Sequence, residues 1–214
     1  MKIAIVGGTG DMGYGLGLRL GKAGHEVLIG SRNLEKAKEA AAAACAQVPE
    51  GAFSGCGNAE ACEAADLVVL SVPSAGHRAT VESLKDILRQ KPVLDITVPL
   101  AFGPLRYAPP AEGSNAKETE AILGEGCRVA AGFHTVSATL LSDFSKPVEV
   151  NALVCGNQAD LRAQLVALGN EIGITTYDAG TLNMACALES QTPMLIGMNK
   201  RYGSKHIGFR MIGF

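Results

Sequence analysis

Three glycines near the start of the chain are spaced to hold an anion. In "VGGTGDMG" Gly8, Gly10 and Gly13 form G-x-G-x-x-G, directly after the apolar run "KIAIV" (2–6) and directly before a helical pattern from about Met12 to Ala23. Glycines in that spacing are weak evidence alone, but between a strand and a helix they predict a dinucleotide cradle. Gly8 permits the tight turn, Gly10 lets the backbone approach a pyrophosphate, and Gly13 lets the helix pack close to the strand, with the helix N-terminus facing the anion. Thr9, Asp11 and Met12 complete that loop.

The next apolar run, "EVLIG" (26–30), ends in Ser31 and Arg32. Sites for NAD place an acid at about this point to accept from the adenosine ribose. An acid would repel a 2′-phosphate, whereas Ser31 can donate to one and Arg32 can grip it as a charge-assisted fork or lie over adenine. Lys36, one helical turn on, adds a point charge, and Thr9 opposite adds a hydroxyl. The plain alternative is that Ser31 caps the following helix and Arg32 is solvated. The pattern predicts NADP(H) over NAD(H).

Ligands of a doubly wound sheet sit at the carboxyl ends of its strands. "LSVPS" (70–74) and "ITVPL" (96–100) end two buried runs. Ser71, Val72, Pro73 and Ser74 are therefore expected under the nicotinamide, with Val98 and Pro99 in the same crevice. In "GFHTVSATLL" (132–141) the small residues Thr135, Ser137 and Ala138 open a helix facing the cofactor. His134 either lines the site or is a structural histidine bonded to backbone.

No catalytic acid–base pair stands out. Tyr202 and Lys205 are one residue too close for Tyr-x-x-x-Lys, and there is no Ser-His-Asp arrangement. The four histidines, His25, His77, His134 and His206, are too dispersed for a metal site. A hydride-donor cofactor in an apolar crevice fits a second redox cofactor, for which face-to-face positioning supplies most of the catalysis. After Glu189 the chain has no acid, and Lys200, Arg201, Lys205 and Arg210 cluster there. They either bind a multiply anionic ligand or, for Lys200 and Arg201, complement a helix C-terminus.

The elements that must hold these residues alternate. Strands are expected over 2–6, 26–30, around "AFSG" (52–55), 66–72, 92–98, 127–133 and 148–156. Helices are expected over about 34–46, 58–65, 77–90 and 158–173. This alternation predicts an α/β fold with a doubly wound, mostly parallel sheet and a small C-terminal α/β extension. Residues 181–203 read as a helix interrupted at Pro193, and "GFRMIG" (208–213) as a closing strand. The Pro/Gly-rich stretch 99–117 reads as a long functional loop. The expected division is a nucleotide-binding domain over 1–147 and a smaller part over 148–214 that contributes to the second-substrate site.

With 214 residues, 47% apolar composition and a net charge of −2, the chain gives no general reason to expect nucleic acid or an anionic membrane as partner. No apolar run reaches the ~18 residues of a membrane span. The first strand begins at residue 2, which leads to the expectation of a cytoplasmic protein without a leader. Six cysteines without C-x-x-C spacing are expected to be reduced and mostly buried.

Several segments resemble a known family: "GGTGDMGYGLGLRLGKAGHEVLIGSRNLEKA", "FHTVSATLL", "VCGN", "DAGTLNMACALESQTPMLIGMNKRYG" and the ending "GFRMIGF" look like the F420-dependent NADP reductases, over almost the whole chain. The resemblance implies a Rossmann domain with a small C-terminal part that pairs subunits into a homodimer. It also implies hydride transfer between NADP(H) and the 5-deazaflavin coenzyme F420. By the same resemblance Thr9, Gly10, Asp11, Met12, Ser31, Arg32 and Lys36 bind NADP. Val72, Pro73, Val98, Pro99 and Ala138 line the ring-stacking crevice, and Ile207 and Gly208 help hold the deazaflavin. Two departures stand out: small Ser74 where some members carry a bulky aromatic, and "SAT" where some have a proline. Relatives of this nucleotide-binding domain reduce other flavins, ferric ions or cyclic imines. A redox sensor that holds NADP(H) without turnover is the reading from a different class.

Overall fold

A computed structural model describes residues 1–213. Its first strand, β1 (Lys2–Val6), is fully buried from Ile3 to Val6, as an unalternating apolar run in a covered parallel sheet must be. It leads through the glycine loop into α1 (Asp11–Lys22), then β2 (Glu26–Ser31), α2 (Leu34–Gln47), β3 (Ala52–Gly57), α3 (Asn58–Ala64) and β4 (Leu67–Leu70). The second half runs α4 (His77–Ser83), α5 (Lys85–Leu88), β5 (Pro92–Asp95), the short strands β6 (Leu100–Ala101) and β7 (Arg106–Tyr107), α6 (Asn115–Leu123), β8 (Arg128–Gly132) and α7 (Ala138–Ser142). The chain then forms β9 (Ala152–Gly156), α8 (Ala159–Glu171), β10 (Thr176–Asp178) and α9 (Ala185–Tyr202).

Among the described residues the main sheet has the order β10-β9-β8-β5-β4-β1-β2-β3. Every pairing is parallel except β8 with β9. One apolar layer packs on each face. The strand order reverses between β1 and β4, so the ligand crevice of this topology opens above their carboxyl ends. This is the Rossmann-type doubly wound architecture that the alternating pattern predicts.

Several details differ from the sequence reading. The expected helix over 77–90 is broken at Leu84, whose backbone (φ −110°, ψ 6°) is not helical. Thr80 Oγ1 and Ser83 Oγ bond carbonyls of this turn and compete with the helical ladder. The strands expected over 66–72 and 92–98 stop at Leu70 and Asp95, which leaves their last residues free to line the crevice.

Strand 148–156 begins only at Ala152 and runs antiparallel to β8. Residues 208–213 form no strand; Phe209 accepts a single bond from Asn151 N, and Asn151 Oδ1 accepts from Met211 N. Pro193 does not interrupt α9, because buried Glu189 and Leu195 hold the helix on both sides of it. The stretch 99–117 contains the β6–β7 hairpin, and α6 starts inside it, capped by Ser114 Oγ. Of six free cysteines, Cys56, Cys62, Cys127 and Cys155 are buried and Cys45 and Cys186 exposed.

Candidate active site

A cavity of about 1080 Å³ lies over the carboxyl ends of the central strands. One end is the glycine loop. Gly7 turns with φ +76°, and a Cβ there would lie 2.8 Å from Val72 Cγ1. At Gly13 a Cβ would meet Ser71 Oγ at 2.8 Å, so α1 packs this close to the β4 end only with glycine. At Gly10 the nearest protein atom would be 3.6 Å away, so the space a side chain would take belongs to the cavity. Gly10 supplies no side-chain cap to α1, and the first N–H groups of that helix lack intrahelical acceptors. These features fit a pyrophosphate.

Ser31 and Arg32 lie on the same wall at the end of β2. Ser31 Oγ accepts from Asn33 N at 3.1 Å, which leaves its proton free for a ligand. The cap of α2 is Asn33, whose side chain accepts from Lys36 N, so the capping role falls two residues after Ser31. Arg32 is exposed and forms no ion pair among the described residues.

Thr9, Asp11, Met12, Ser71, Val72, Pro73, Val98, His134, Ala138 and Ile207 are also on the wall. Gly8, Gly13, Lys36, Pro99 and Gly208 are not. Gly8 and Gly13 pack behind the loop. Pro99 is buried, with its carbonyl taken by Ala108 N at 2.8 Å. Gly208 presses on Val150, and Lys36 is exposed on the first turn of α2. The wall includes residues that the sequence reading passed over: Asn58, Thr97, Leu100, Phe102, Thr192, Leu195, Ile196 and Asn199.

The far wall depends on one unusual backbone position. Phe133, at the end of β8, has φ 63°, left-handed and uncommon for a bulky side chain. Its N–H bonds Leu153 O and its carbonyl accepts from Val136 N, so the turn is held at both sides. This turn presents His134 and Thr135 to the cavity, and Thr192 Oγ1 on α9 bonds the His134 carbonyl at 2.9 Å. Neither ring nitrogen of His134 has a partner in hydrogen-bonding geometry. Burial holds this imidazole down to about 4, against the pull of Asp95 and the nearby backbone of Asp95 and Thr97. His134 is therefore neutral at neutral pH and offers one donor and one acceptor. Ser137 Oγ donates to Lys205 O, and Asn199 Oδ1 accepts from Ile207 N, which fastens the C-terminal segment along this side.

Behind the wall lies a buried polar network. His77 Nε2 meets Asp95 Oδ2 and His77 Nδ1 meets Glu118 Oε2, both at 2.8 Å. Burial opposes charge on this imidazole, but the two carboxylates raise it to about 9. Asp95, at the end of β5, accepts from Thr97 N, Thr97 Oγ1 and Thr119 Oγ1. Despite complete burial it is held below the ordinary carboxylate range by His77 and these donors. Asn115 Nδ2 donates to Thr97 Oγ1 at 2.8 Å. Glu189 of α9 accepts from Asn115 N, Ala116 N and Tyr107 OH. Burial and the charge on Asp95 push its carboxyl up to about 8, against those three donors. The network ties the end of β5, the hairpin and α9, which each supply cavity wall. An acid inside the apolar run "PVLDITV" is the sequence signal for it, because a carboxylate buried there requires partners.

A family model described as NADP oxidoreductase, coenzyme F420-dependent, matches residues 2–99. Over 99% of its length the chain is 40% identical to the F420-dependent NADP reductase of Methanocaldococcus jannaschii, of which it covers 98%. The chain belongs to the F420-dependent NADP reductase family. It is 39% identical to the F420-dependent NADP reductase of Methanothermobacter thermautotrophicus, covering 99% of this chain and 94% of that protein. A solved structure from Arthrobacter sp. FB24, described as a candidate F420-dependent NADP reductase, superposes over the full length of both chains with a TM-score of 0.84 and 26% identity.

Proposed function

We propose that this protein transfers a hydride between NADP(H) and coenzyme F420. The observation that carries the reading is the continuity of one cavity. Its glycine-loop end offers backbone donors, Ser31 and Arg32 for a pyrophosphate and a 2′-phosphate. Its other end, from Val72 and Val98 to Ala138 and Ile207, is largely apolar. At about 1080 Å³ the space is at the upper limit of single-ligand pockets, which suits two ring systems side by side.

When bound, the nicotinamide and the deazaflavin supply the hydride chemistry. The protein's part is to hold the adenosine phosphates, set the two rings against each other and keep water out. Thr9, Gly10, Asp11, Met12, Ser31 and Arg32 anchor the nucleotide, and Lys36 adds positive charge beside the phosphate corner. Val72, Pro73, Val98 and Ala138 form the stacking surface, backed by buried Pro99. Neutral His134, its ring nitrogens buried, backs this wall without charge. The hydride passes between the two ring carbons without help from a side chain, and the proton that balances deazaflavin reduction goes to a ring nitrogen from solvent.

Residues 148–214 form a wall for the second substrate and a subunit contact in this reading. Met184, Met194, Ile196, Tyr202, Met211 and Ile212 are all exposed, and an apolar concentration of this kind suits a symmetric interface. The protein is then a homodimer. Among the described residues no helix is long and apolar enough to cross a membrane, and a cytoplasmic location suits both cofactors.

The test is to mix the protein with NADPH and oxidised F420 and follow the loss of deazaflavin absorbance. Bleaching that requires both is expected. NADPH binding without bleaching would overturn the assignment.

A further inference from the structure

The β6–β7 hairpin carries an aromatic ring that the rest of the molecule leaves uncovered. Leu100 pairs with Tyr107 and Ala101 with Arg106, so residues 102–105 form the turn. Phe102 in that turn is 80% exposed, whereas the other described phenylalanines are buried or half-buried. Leu100 and Phe102 nevertheless belong to the cavity wall. The hairpin is anchored at its base. Ala108 N bonds Pro99 O, and Tyr107 OH bonds Gly113 O at 3.0 Å and Glu189 Oε2 at 3.1 Å. The turn itself is free, and a Cβ on Gly103 would meet nothing within 4 Å.

Topology fixes which end of the cavity this ring serves. The hairpin follows β5, and in the sheet β5 lies across β4 and β1 from β2, whose end carries Ser31 and Arg32. Phe102 therefore stands at the end remote from the phosphate corner. An exposed ring on a cavity rim gains by stacking when a flat apolar ligand enters.

We propose that Phe102 is a specificity-determining residue that stacks on the planar ring system of the second substrate at the cavity mouth and favours extended aromatic acceptors over small ones. The anchored Tyr107 sets the height of the ring above the site. This inference rests on the hydride-transfer reading above and adds the contact that selects the acceptor.

The experiment compares wild type with Phe102→Ala, Phe102→Tyr and Tyr107→Phe by fluorescence titration with F420 alone and by steady-state turnover. Phe102→Ala is expected to weaken F420 binding and raise its KM about tenfold, with the KM for NADPH and the melting temperature unchanged because the side chain is exposed. Phe102→Tyr keeps wild-type affinity, and Tyr107→Phe loses part of it. Wild-type turnover with unaltered F420 binding in Phe102→Ala overturns the stacking role and leaves the reading of the reaction intact. Wild type that reduces no F420 overturns the reading of the reaction itself, and the stacking role with it.

Discussion

Arg32 and His77 show two ways in which a single charge serves this site. Arg32 is solvent-exposed on the cavity wall, so its value lies in what it meets there. In the proposed reading, its replacement by glutamate places a repelling charge beside the 2′-phosphate. Arg32→Glu is expected to weaken NADPH binding by about 10- to 100-fold, as loss of a charge-assisted bond does, and to leave NADH within about threefold. Titrations with both nucleotides check this, and an equal loss for the two would remove Arg32 from phosphate recognition. Glycine spacing and the Ser31–Arg32 corner were legible from sequence because each is a local signal, complete within one turn. His77 was not: its partners Asp95 and Glu118 are 18 and 41 residues away, and only the fold brings them within 2.8 Å.

At the scale of elements, His77 joins α4 to β5 and α6. Removing it leaves Asp95 charged, fully buried and short of its main partner. His77→Ala is expected to cost about 3–5 kcal/mol, the usual penalty for stranding one half of a buried ion pair. For a chain of this size that lowers the melting temperature by roughly 10 °C. The double change His77→Ala with Asp95→Asn should cost clearly less than the two single changes summed, and strict additivity in thermal melts would argue against coupling.

The central strands were readable because short unalternating β-branched runs such as "IAIV" and "LVVL", bounded by turn residues, suit a sheet covered on both faces. The antiparallel entry of β9 and the β6–β7 hairpin were not readable. Strand direction depends on a partner distant in sequence, and a ladder of two residue pairs leaves no periodicity. Proline inside α9 misled for a related reason: tertiary packing around Glu189 and Leu195 outweighs the one backbone bond that Pro193 forgoes.

For the whole molecule the buried titratable groups set a pH response with a definite sign. Folding raises His77 from 6.5 to about 9, so its contribution to stability is complete below 6.5 and is lost as pH rises through 9. Glu189 is raised from 4.5 to about 8, so the folded state also keeps this proton longer, and stability falls across that interval. Asp95 acts oppositely: held below its ordinary range, it costs stability only in acid. The denaturant midpoint is therefore expected to decline from pH 6 to pH 9, and His77→Gln should flatten the decline above 6.5. A midpoint that climbs over that range would contradict the network as described.

The cavity wall contains both Gly7 and Ile207. Those two positions lie about 200 residues apart in sequence, so the site closes only once Ile207 has been made. The glycine loop needs β4 beside it, since Gly7 and Gly13 pack on Val72 and Ser71, whereas α9 and the segment after it come later in the chain. A chain that ends before α9 thus has the glycine loop and lacks the wall against which a second ring would rest in the proposed reading. In the proposed reading, a copy cut short before Ile207 lacks part of the second-substrate wall and is denied transfer chemistry.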